Sequence, residues 1–64
     1  MLIELVKIKT DKETKEETLV PLNIHTKDIL CLYKDRKGNF IINKQGTMHK
    51  IKNNTKDLEV YLRL

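Results

Sequence analysis

Residues 23–64 read NIHTKDILCLYKDRKGNFIINKQGTMHKIKNNTKDLEVYLRL, and this stretch decides the fold. Residues 29–34, ILCLYK, form the most continuously apolar run, which predicts a strand at the centre of a sheet. DRKGN at 35–39 reads as a hairpin turn, with Gly38 supplying the positive φ that a type I turn with a bulge requires. Residues 40–44, FIINK, return as a second strand. Gln45-Gly46 marks another tight turn, and 47–52, TMHKIK, make a third strand. Three strands joined by two short turns predict an antiparallel meander.

Both ways from this core the pattern continues. LIELVKIK at 2–9 is rich in β-branched residues, with apolar positions on both faces at first and alternation later. That fits a strand buried on one side and partly covered on the other. TDKETKEE at 10–17 holds no apolar residue and reads as an exposed hairpin loop or a frayed extension of the strand. TLVPLNIH at 18–25 puts Val20, Leu22 and Ile24 on one face, and Pro21, which cannot donate to a ladder, assigns the strand to an edge or a bulge. Thr26, Lys27 and Asp28 form a short polar connection. The last residues carry two patterns. Asn53, Asn54 and Thr55 are good N-cap residues ahead of Asp57, and Leu58, Tyr61 and Leu62 share a helical face. LEVYLRL also alternates at period two, with Leu58, Val60, Leu62 and Leu64 on one side, as a strand would. The capping mechanism, and an open sheet face that a helix could cover, favour the helix. The fold class expected is mainly β (α+β), a small antiparallel meander of about five strands with a short C-terminal helix, in a single β-rich domain over 1–64.

With 64 residues, 39% of them apolar, the core is aliphatic and thin. Leu, Ile and Val account for 19 residues, and Tyr33, Phe40 and Tyr61 are the only aromatics, expected mainly in the core. Burying an exposed strand edge or apolar face in a homodimer is a natural supplement to such a core. One cysteine, Cys31, cannot form an internal disulfide, which suits a reducing, cytoplasmic setting, and within its apolar strand it reads as a small buried hydrophobe. The N-terminus lacks a basic region and cleavage site ahead of its apolar residues and reads as a strand. No stretch approaches the roughly 20 apolar residues that span a bilayer. No membrane association is expected.

Catalytic and metal chemistry lack a constellation. His25, His49 and Cys31 fall in no ligand spacing, so no metal is expected. Asp28, Asp35 and Asp57 sit at element ends, where caps and turns account for them, and Glu13, Glu16 and Glu17 lie in the polar loop. Two glycines cannot cradle a phosphate. The sequence therefore predicts no enzyme, no catalytic residue and no cofactor.

Charge discriminates further. Residues 1–33 hold five lysines against six acids, whereas 34–64 hold eight basic residues against three acids. Across 34–56 seven basic residues face Asp35 alone, a net of +6. Phosphate backbones and acidic surfaces attract such a cluster, although lysine-rich turns also serve as ordinary solubilising surface. Arg36, Lys37, Lys44, Lys50 and Lys52 are the candidate nucleic-acid contacts, with Arg36 and Lys37 at one hairpin tip and Lys44 near the opposite one. Tyr33 or Phe40 would stack on a base if exposed.

The run from Ile24 to Leu62 resembles the first part of LytTR-type DNA-binding domains of bacterial response regulators, in which strand, turn, strand, short basic strand and L-x-x-L helix follow in this order. Asp28, Ile29, Leu30, Phe40, Ile41, Ile42, Leu58 and Leu62 carry the likeness. It covers about two-thirds of the chain and about half of that family's domain. The family's later strands and DNA-contacting loops have no counterpart, so no contact residue transfers. The same layout is similar to small flagellar proteins of the FlbD type. The resemblance implies a regulatory role in transcription through DNA. Two readings follow: a small regulatory binding module that engages DNA or RNA through its basic second half, or a protein–protein module, an inhibitor, adaptor or obligate dimer, that uses a strand edge or apolar face.

Overall fold

The computed structural model describes residues 1–62. Five strands form one antiparallel sheet: β1 (Leu2–Thr10), β2 (Glu17–His25), β3 (Ile29–Asp35), β4 (Gly38–Asn43) and β5 (Met48–Ile51), followed by helix α1 (Thr55–Leu62). The mainly β architecture with a terminal helix matches the expectation from sequence. The alternative of a last strand is excluded for Thr55–Leu62, whereas Arg63 and Leu64 lie outside the described residues.

The order across the sheet is β2-β1-β5-β4-β3. Pro21 is on an edge strand, where its missing N–H costs no ladder bond. β3, however, is the other edge and not the centre. Only Ile29 on it is buried and Leu32 half-buried, whereas Leu30 and Cys31 are exposed, and the register shifts between Ile29 and Cys31. β5 takes the middle place because β1 closes onto it, with Lys7 opposite Ile51. A continuous apolar run therefore does not require burial on both sides, and on β3 one side is bare.

Alternation sorts the side chains cleanly. Ile3 faces Ile24 and Leu5 faces Leu22 on one side of the sheet, continued by Ile51, Ile41, Leu32 and Ile29. Helix α1 packs on this inner side through Leu58 and Tyr61. The two edge strands are separated in sequence by only the 3-10 turn Thr26–Asp28. The sheet must therefore curl until its edges meet at that corner. There Thr26 N–H donates to Met1 O at 2.8 Å and Lys44 N–H to Asp28 O at 2.9 Å. The core lies inside the curl, and the opposite face is convex.

That core is small. Ile3, Leu5, Ile24, Ile29, Ile41, Ile51 and Leu58 are the buried apolar residues among those described. Asparagines border it: Asn53 Oδ1 accepts from Val6 N–H at 2.8 Å and Asn39 Oδ1 from Thr55 N–H at 3.2 Å, both partly buried, while the exposed Asn54 Oδ1 accepts from Lys56 N–H at 3.0 Å. The NNT segment thus both caps α1 and pins it to β1 and β4.

Candidate nucleic-acid interface

The β3–β4 hairpin begins the site. Asp35 Oδ1 accepts from Lys37 N–H at 2.8 Å, which fixes the turn and holds Arg36 and Lys37 at its exposed tip. Gly38 closes the turn at φ +140°, a conformation that side chains rarely adopt. Its missing Cβ has a second use, since a Cβ there would stand 3.2 Å from Lys50 Cε. The Lys50 stem therefore runs across Gly38 toward the turn that carries Arg36 and Lys37.

Pairing gathers further cations at this end of the sheet. Ile51 lies opposite Asn39, so Lys52 follows at the level of the turn, its N–H donating to Val6 O at 2.8 Å. Lys34 pairs with Asn39 on the inner side, and the Asn39–Thr55 hydrogen bond brings Lys56 to the same end. Of the five residues expected to contact nucleic acid, Arg36, Lys37, Lys50 and Lys52 converge. Lys44 does not: it sits in the β4–β5 turn beside Asp28, at the opposite end, as its place in the meander predicts.

Lys7 also joins the basic end, although the acidic balance of the first half argued against it. Its cross-strand neighbour is Ile51. Its presence is felt at His49, where partial burial first, and the Lys7 charge second, lower the imidazole pKa below its ordinary 6.5. One signal was available in the sequence: Lys7 shares the parity of Ile3 and Leu5, and a charge on a core-facing parity marks where the covered face ends.

Tyr33 and Phe40 depart from the expectation that the aromatics fill the core, whereas Tyr61 packs against it. Tyr33 is opposite Phe40, which is opposite Lys50, all on the convex side. Tyr33 is 46% exposed and Phe40 half-buried, with ring centroids 5.9 Å apart and planes inclined by 44°. Both alternate with the inner-facing pair of half-buried Leu32 and buried Ile41, so core and platform are two faces of the same two strands. Cys31 likewise lies on this side opposite Ile42 and is exposed, which corrects its assignment as a buried hydrophobe.

Elsewhere, a groove of about 450 Å³ runs between β1 and α1, over Ile3, Leu5 and Leu58, with Glu4 and Asp57 at its margin. Its acids set it apart from the basic end. Among the described residues no three of His, Cys, Asp and Glu stand close enough to share a metal ion, and no helix is long and apolar enough to cross a membrane. No protein-family model matches the chain, and no curated protein or solved structure is significantly similar to it.

Proposed function

We propose that the protein is a small, non-enzymatic regulatory binding module that engages DNA or RNA through the basic end of its sheet. One observation carries this reading: Arg36, Lys37, Lys50 and Lys52 gather around the Gly38 turn, with Lys7, Lys34 and Lys56 at the same end of the sheet, the first two on its inner side. The carboxylate of Asp35 in the same turn is engaged with a backbone N–H. Such a cluster attracts phosphates, each contact displacing a counterion. The likeness of its strand order to LytTR-type domains points the same way, toward transcription regulation, and a free, exposed Cys31 suits a reducing, cytoplasmic setting.

Titration of labelled single-stranded and duplex oligonucleotides at two salt concentrations tests the proposal. With four phosphate contacts the affinity for a single strand falls with a log–log salt slope of roughly −3. Binding no tighter than millimolar at low salt, or indifferent to salt, overturns it.

A second reading, a protein–protein module or homodimer, is favoured by apolar side chains left in solvent. Leu2 is 66% exposed, Leu30 60% and Met48 53%, the last beside Ile42 and Cys31 on the convex face. A monomer of 7.6 kDa ordinarily exposes roughly 4300 Å², and this chain exposes 5010 Å². Sedimentation at several concentrations decides: a constant monomer mass removes the homodimer.

A further inference from the structure

We infer that the nucleic acid taken by the basic end is single-stranded, an unpaired base stacking on Tyr33 while adjoining phosphates lie on Lys50, Arg36 and Lys37. The inference rests on the nucleic-acid reading above and adds the class of strand. Cations alone do not distinguish single strands from duplexes, because both present phosphates. The aromatic row does. Tyr33, Phe40 and Lys50 are successive cross-strand neighbours, which puts them at the sheet's interstrand spacing of roughly 4.8 Å. A base face and a phosphate of one nucleotide chain can therefore be met side by side.

Tyr33 stands on an edge strand with 46% of its surface exposed, so its outer side is open to a ligand while the Phe40 ring supports it from the inner side. A paired base within a duplex has both π-faces covered by its neighbours and cannot use such a platform. An unpaired base can. The bare Gly38 leaves room for the Lys50 stem, whose Cε lies 3.2 Å from where a Cβ there would stand, so the ammonium is carried toward the turn.

The test is fluorescence anisotropy of the full chain against oligothymidylate of about 12 nucleotides, a length within the range of small single-strand sites, and against a duplex of equal length. The single strand is expected to bind at least about tenfold more tightly. Tyr33→Ala and Tyr33→Leu, the latter keeping apolar contact with Phe40, are each expected to weaken binding by about five- to hundredfold, with the unfolding midpoint showing that both remain folded. The chain has no Trp and two Tyr, so in a Tyr61→Phe background the emission of Tyr33 reports stacking directly and is expected to be quenched on binding. A duplex that binds as tightly as the single strand overturns this inference and leaves the nucleic-acid reading standing. Single-strand binding unaffected by either Tyr33 variant, without quenching, overturns it as well. Binding to neither strand form overturns both.

Discussion

The side-chain oxygen of Asn53 accepts the backbone N–H of Val6 at 2.8 Å, across 47 positions of chain. It takes up the ladder where β5 ends and α1 has yet to begin, so the partly buried amide of β1 keeps an acceptor. Removing that acceptor leaves the amide unsatisfied. Asn53→Ala is expected to lower stability by about 1–3 kcal/mol, as is Asn39→Ala, which orphans the Thr55 N–H at the start of α1. Urea unfolding followed by circular dichroism measures both, and a loss below a few tenths of a kcal/mol would show that water replaces these oxygens.

Gly38 and Gly46 occupy turns of the same meander but differ in what surrounds them. At Gly38, with φ +140°, a Cβ meets Lys50 Cε at 3.2 Å, whereas at Gly46, with φ +88°, it meets nothing within 4 Å. Gly46→Ala should cost about 1–2 kcal/mol, the backbone term alone, and Gly38→Ala about 1–3 kcal/mol. The binding assay separates them further, because only Gly38→Ala displaces the Lys50 stem and should weaken oligonucleotide binding.

His49 sets a direction for pH dependence. Its folded pKa lies below the unfolded 6.5, owing to burial and then to Lys7. Between the two values the unfolded chain binds more protons, so stability rises with pH there. This contribution is complete above 6.5 and is lost as pH falls through the folded pKa. His49→Gln should flatten that part of the profile. Lys7→Gln should move the imidazole titration, read by NMR, upward but not fully back, because burial is the larger cause.

A core of so few side chains leaves little reserve. Ile41 is 0% exposed and Ile51 1%. Truncating either to Ala costs about 2–5 kcal/mol, comparable to the roughly 3–5 kcal/mol that a chain of this size commands. Both variants are therefore expected to be largely unfolded at 25 °C by circular dichroism. Leu30→Ser, at a position 60% exposed, should stay within about 0.5 kcal/mol of the parent. If Ile41→Ala unfolds no more readily than Leu30→Ser, Ile41 does not belong to the core.

Among the five lysines and arginines expected to touch phosphate, position in the fold separates one from the rest. Lys44→Ala should change oligonucleotide affinity less than Lys50→Ala and should leave the salt slope unaltered, whereas each of Arg36→Ala, Lys37→Ala and Lys50→Ala reduces it by somewhat under one unit. Equal losses at Lys44 and Lys50 would mean that the ligand spans the whole sheet rather than its basic end.

Local chemistry was legible in the chain because local rules govern it. Alternation set the inner face of β2, Gly38 and Gly46 set the turns, Pro21 marked an edge, and Asn54 capped a helix that a rival period-two pattern made ambiguous, whereas β1, apolar on both faces at first, left its inner side open. Tertiary structure alone decided what depends on pairing across the chain. The contact of β1 with β5 put β5 in the middle, moved the apolar run of β3 to an edge and brought Lys7 to the basic end. It also decided that Tyr33 faces solvent: an apolar residue beside a core residue reads the same whether its own side is covered or bare. A strand's periodicity specifies that it has two faces; which of them is buried depends on where α1 packs and how the sheet curls, and those are set by contacts between residues far apart in sequence.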